Sequence, residues 1–174
     1  MLAPWHEFYG LLGTAAVTLV ALLFVAVSIA IGTPMLLPER ASGTRTYMSP
    51  VVFHYAAVLF VSLIALVPTQ TADWLGLSIG GVAAVGLITS IVITVRVMRV
   101  EHPYVEDNFA YGIIPAVAYA AALVAAGFFF AQSKAGPNIL AGALLLLLVV
   151  NIRNAWDLML AFARRVAEQN RKPD

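Results

Sequence analysis

Five stretches of this chain are apolar for 19 to 24 residues each, at positions 8 to 31, 50 to 68, 74 to 95, 109 to 131 and 138 to 158. A helix needs roughly 20 such residues to cross a hydrocarbon layer about 30 Å thick. A membrane barrel also satisfies its backbone in lipid, but its strands alternate apolar and polar over about ten residues. Runs such as Ala15 to Ala30 and Leu140 to Val150 do not alternate. The expected fold is therefore all-α, a polytopic integral membrane bundle of five transmembrane helices forming one domain over residues 1 to 174. Composition agrees, with 61% hydrophobic and 11% charged residues and a mean hydropathy of +0.91, where a soluble domain is about a quarter charged. The longest stretch between spans, residues 32 to 49, is far below the roughly 40 residues that fold without help. No extramembrane domain is expected, and without cysteine there is no disulfide framework.

The span ends carry punctuation. Ser49 and Pro50 read as an N-cap followed by a proline at the first helical position, while Asp73, Asp107 or Asn108, and Asn138 are candidate caps for the next three helices. Trp5, Tyr9, Tyr47, Trp74 and Tyr111 fall near boundaries, where amphipathic rings sit or simply pack. After Asp157 the helix is expected to continue through LMLAFARRVAEQNRK.

Orientation follows from Lys and Arg. With five spans, one side carries Lys134 alone, and the other carries Arg40, Arg45, Arg96, Arg99, Arg164, Arg165, Arg171 and Lys172. The positive-inside rule then places the N-terminus outside and the C-terminus in the cytoplasm. The first span lacks a basic leader and a small-residue cleavage site, so it reads as a retained helix and not a signal peptide. The basic residues form no dense patch, which leaves nucleic acid without support as a partner. Membrane lipid is the partner the composition demands.

Small residues let backbones approach where burial of apolar surface no longer drives association. The third span opens GLSIGG, making Gly76 and Gly80 a GxxxG packing pair, within one chain or between copies. A homo-oligomer is expected from five short helices that enclose little interior.

Polar residues inside a membrane are costly and are functional candidates by default. Counting about 1.5 Å per residue from Pro50 places His54 some 6 Å inside the cytoplasmic boundary, level with Asn154, while Asp157, Arg153 and Asn151 lie at about 2, 8 and 11 Å. Arg153 and Asp157 are one turn apart and able to pair. Tyr111, Pro115 and Tyr119 recur every four residues, and Pro115 withholds an N–H from the carbonyl of Tyr111, leaving an acceptor and a kink. His54, Asn151, Arg153, Asn154, Asp157, Tyr111 and Tyr119 are thus the candidate polar cluster. The plainer alternatives are a snorkelling Arg153–Asp157 pair, asparagines as interhelical glue and a neutral packing histidine. His54 is the residue suited to a pH-dependent role. The sequence has no HExxH, GxSxG or Walker A motif, and no metal-type cluster. With His6 and His102 outside the spans, bis-histidine heme has no geometry, so no catalytic residue, metal or cofactor is expected.

The segments FYGLLGTAAVTLVALLFVAVSIAIG, SPVVFHYAAVLF, DNFAYGIIPAVAY and IRNAWDLM resemble an uncharacterised family of small bacterial multi-pass membrane proteins. Some members carry a label as modulators of the membrane-bound ATP-dependent protease FtsH. The resemblance touches four of the five helices and includes His54, the Asp107, Tyr111, Pro115 and Tyr119 spacing, and Arg153 to Asp157. It implies a multi-pass protein of the bacterial cytoplasmic membrane and transfers no residue role. Two functions are expected in competition. One is a non-enzymatic, self-assembling or accessory and regulatory component acting through helix contacts. The other is an oligomeric ion channel or small-solute transporter using the polar cluster.

Overall fold

The computed structural model describes residues 2–31, 41–98 and 109–169. Among these the chain is helix and tight turn, with no strand. A 3-10 turn at Ala3–Trp5 leads into α1 (His6–Ile31), followed by α2 (Ala41–Leu66) and α3 (Ala72–Met98). A π-helical turn at Phe109–Ile113 opens α4 (Ile114–Phe130), and α5 (Ala135–Gln169) follows. Four segments are long and apolar enough to cross a membrane: His6–Ala26, Ala72–Arg96, Ala110–Phe130 and Ala135–Leu160. The fifth, Pro50–Leu66, is a shorter apolar stretch within α2.

That second helix departs from the expected start. Pro50 is buried inside α2 and does not open it. An interior proline removes one bond, to the carbonyl four residues back, and neighbouring helices compensate for such losses in a membrane bundle. The cap assignments also shift. Thr71 caps α3, its Oγ1 accepting the Trp74 N–H at 3.2 Å, and Asp73 sits in the first turn, where it complements the helix dipole. Ser133 Oγ accepts the Ala135 N–H at 3.3 Å, leaving Asn138 inside the first turn of α5. Asp107 and Asn108 lie outside the described residues.

The two described connections are tight. At the end of α4 the Ser133 N–H bonds the Phe128 carbonyl and the Gln132 N–H bonds the Phe129 carbonyl, both at 2.9 Å, with Gln132 left-handed at φ 51°. This is a Schellman closure with glutamine where glycine is usual. At the end of α2, Gln70 Nε2 reaches the Ile64 carbonyl at 2.7 Å past a left-handed Thr69. Such short links force antiparallel neighbours, and the side-chain contacts follow suit: Asn151 meets Val51, Tyr111 meets Asn154, and Tyr9 meets Pro137. The helices alternate in direction, with α5 central among α1, α2 and α4, and α3 closing on α4 and α2. The end where α2 and α4 begin is called the base below.

The α3–α4 seam is built on glycine. A Cβ at Gly76 would meet the Phe130 ring at 2.9 Å, one at Gly80 would meet Ala126 Cβ at 3.5 Å, and one at Gly86 would strike the Tyr119 ring. Near the base Gly112 abuts Thr94. The GxxxG pair therefore packs within the chain. In lipid, this close fit supplies dispersion contacts that hydrophobic burial does not.

Candidate functional site

Between α2, α4 and α5 the buried polar residues form three rungs. The lowest depends on the π turn. In that winding the bond runs from residue i to i+5, and five residues on from Ala110 is Pro115, which has no N–H. Asn154 Nδ2 donates to the Ala110 carbonyl at 2.9 Å in its place, and the Tyr111 hydroxyl donates to the Asn154 carbonyl at 2.9 Å. Asn154 thus serves the carbonyl of Ala110, one residue before the Tyr111 carbonyl from which the sequence has Pro115 withhold an N–H. One turn further up, Asn151 Nδ2 donates to the Val51 carbonyl at 2.7 Å.

The third rung joins His54 and Tyr119. His54 Nδ1 and the Tyr119 hydroxyl lie 2.9 Å apart, and the imidazole tautomer decides which of them donates. Gly86 makes room for the Tyr119 ring, and Phe53 packs edge-on to the imidazole with ring centres 5.7 Å apart. His54 is therefore not level with Asn154. Its helix meets α5 through Val51 and Asn151, which sets His54 about a turn above that contact, so that both asparagines lie nearer the base. The offset arises because Pro50 does not mark the end of α2.

Arg153 and Asp157 stand apart from the ladder. They pair with each other at 3.7 Å, their side chains 47% and 36% exposed, on the outward face that carries Ile152 and Trp156. Asn151, Asn154 and Leu158 define the inward face of α5, and Arg153 is about 100° round the helix from Asn154. The structure thus brings together His54, Tyr111, Pro115, Tyr119, Asn151 and Asn154 in the interior, and it leaves the ion pair out of any pocket they line.

Several polar atoms in this region are buried with no protein partner: His54 Nε2, Asn151 Oδ1, Asn154 Oδ1 and the Tyr55 hydroxyl. Tyr55 was not singled out from the sequence, although a phenol beside His54 inside a span was the available signal. Tyr9, read as a boundary aromatic, is also fully buried and donates to the Pro137 carbonyl at 3.1 Å, tying the start of α1 to the start of α5. Beside Tyr119 is a void of about 10 Å³ with apolar walls that include Val61, Ile79 and Leu144. Its size is marginal for one water, and its walls offer few of the partners a water needs. Among the described residues no three His, Asp or Glu side chains converge as metal ligands.

No family model, curated protein or solved structure matches the chain.

Proposed function

We propose that the protein is a non-enzymatic integral membrane component that acts through its helix faces, on a second copy or on another membrane protein. The observation that carries this reading is the engagement of the interior polar side chains. Asn151, Asn154 and Tyr111 each bond the backbone of a neighbouring helix or turn, and His54 shares a hydrogen bond with the Tyr119 hydroxyl on α4. Polar groups used in this way fix one helix arrangement and leave the outer faces for contacts. The eight-to-one distribution of basic residues supports an external N-terminus and a cytoplasmic C-terminus. The family resemblance supports the bacterial cytoplasmic membrane, with an accessory role beside a membrane protease as one form of the reading.

The test is the composition of the particle extracted in mild detergent. A symmetric homo-oligomer or a fixed second protein is expected, and an isolated monomer without partners refutes the proposal. Reporter fusions that place the two termini on the same side refute the orientation.

A second reading, an oligomeric channel or small-solute transporter, is favoured by the buried and unpartnered His54 Nε2, Asn151 Oδ1 and Asn154 Oδ1 on neighbouring turns. Cysteines placed at 54, 151 and 154 decide between the two. Reaction with an aqueous thiol reagent, together with liposome flux that depends on these positions, establishes the channel. Unreactive cysteines and absent flux exclude it.

A further inference from the structure

The chain has three tryptophans, and all of them reach the outer surface. Trp74 and Trp156 are 57% and 65% exposed, and Trp5 is half-buried against Phe8 and Tyr9. Trp156 stands at the base and the other two at the opposite end. Two separate routes through the helix contacts measure the distance between these levels. Trp5 is one turn beyond Tyr9, Tyr9 bonds Pro137, and Trp156 is 19 residues on from Pro137, which makes about 35 Å at 1.5 Å per residue. On the other side, Trp74 is 20 residues from Thr94, Thr94 abuts Gly112, the adjoining Ala110 and Tyr111 meet Asn154, and Trp156 is two residues further, again about 35 Å. Membrane helices lean by about 20° on average, which leaves about 33 Å along the bilayer normal. That spacing slightly exceeds a hydrocarbon core of about 30 Å and lies inside the roughly 40–45 Å that includes the headgroups. Indoles prefer this depth.

The remaining surface chemistry follows the same two levels. Every Lys, Arg, Asp and Glu among the described side chains lies within about 5 Å of one of them, Glu7, Asp73 and Lys134 at one end and Arg96, Arg153 and Asp157 at the base. Between the levels, the surface hydroxyls of Thr14, Thr18 and Thr89 each donate to the carbonyl four residues back, at 2.8 to 2.9 Å. Hydroxyls satisfied within their own helix need no water, as a hydrocarbon environment requires.

We propose that the surface between these levels is a lipid-seating belt for a bilayer with a hydrocarbon core of about 30 Å, with Trp5 and Trp74 in one headgroup layer and Trp156 in the other. The belt rests on the chain spanning a membrane and holds whether the protein is an accessory component or a channel. It also sets the depth of the ladder: Asn154 is about 3 Å inside the Trp156 level and His54 about 12 Å inside it, so the His54–Tyr119 rung lies within the hydrocarbon.

Tryptophan fluorescence of the full chain in phosphatidylcholine vesicles tests the belt, with the lipid brominated either near the ester end of its chains or near their tips. Bromine quenches an indole it touches. The wild type is quenched at least about twofold more by the shallow label than by the deep one, as expected for indoles at the interface. Variants keeping one tryptophan, with phenylalanine at the other two positions, show the same order for Trp5, Trp74 and Trp156 separately. Val85→Trp, made with phenylalanine at all three native positions, shows the reverse order, because Val85 is exposed midway along α3. Equal or reversed quenching of the wild type overturns the proposal, a result that needs no variant. So does any single native indole that either label fails to quench, which would place it in water or under another protein surface.

Discussion

Replacing Asn154 by leucine tests whether its amide stands in for an N–H that the chain lacks. Three terms change. The bond from Nδ2 to the Ala110 carbonyl is lost, and bonds of this kind between membrane helices are worth about 0.6 kcal/mol on average and about 1.7 at most. The Ala110 carbonyl is left buried and unserved, at a cost of about 1–3 kcal/mol, but leucine also removes Oδ1, already buried without a partner and carrying a cost of the same size. These last two nearly cancel, so the net loss is about 1 kcal/mol, roughly fivefold in the unfolding equilibrium. The second substitution of the cycle is Pro115→Ala, which gives position 115 an N–H. If the turn stays π-wound, that N–H reaches Ala110; if it relaxes to α, the Ile114 N–H does so. In either case Ala110 is served without Asn154, and Asn154→Leu becomes nearly neutral in that background. The expected coupling is about 1 kcal/mol, measured from equilibrium unfolding in mixed dodecyl maltoside and SDS micelles followed by circular dichroism. An Asn154→Leu cost that is the same in both backgrounds refutes the substitution of amide for N–H.

Three further outcomes follow from the packing and the ladder. Gly86→Ala forces a methyl into the Tyr119 ring and lowers stability by about 1–3 kcal/mol, while Gly142→Ala, where a methyl meets nothing, raises it by up to about 1 kcal/mol; thermal melts of the two variants in detergent separate them. Tyr119→Phe leaves His54 Nδ1 without its partner and destabilises by about 1–2 kcal/mol, with a change in the ¹⁵N shifts of the imidazole that a purely steric role for the ring does not produce. Arg153→Ala and Asp157→Ala each change stability by less than about 1 kcal/mol, because the pair is half-exposed and long; a loss of several kcal/mol in the same unfolding assay refutes its placement outside the core.

The apolar blocks made the helices legible, because length and uniform hydropathy hardly depend on what lies alongside. α1, α3 and α5 fall where the sequence puts them, and α5 continues past Asp157 as expected. The start of α2 was not legible, since Ser49–Pro50 has the local chemistry of a helix start and only tertiary context carries the helix through it. The polar residues of the ladder were identifiable by type, but their partners were not. Asn151 and Asn154 bond backbone carbonyls of Val51 and Ala110, which any side chain at those positions supplies. The outward turn of Arg153 and Asp157 was hidden for a different reason. α5 is apolar on most sides, so its helical wheel does not show which flank faces neighbours. The fate of Gly76 and Gly80 needed Phe130 and Ala126 in view.

The π turn also governs how α4 tolerates change. Residues 109–113 occupy an arc that an α-helix would fill with one residue fewer, so the segment before Ile114 is out of phase with the rest of α4 by about 100°. Tyr111 faces Asn154 and Gly112 faces Thr94 in that shifted phase, while Tyr119 and Ala126 face their neighbours in the ordinary one. α4 resembles a key cut in two orientations on one shaft. A substitution wears down one notch, whereas deleting one residue between 109 and 113 turns all the notches on that side together. Change in length, more than change in chemistry, is what this helix is least able to absorb.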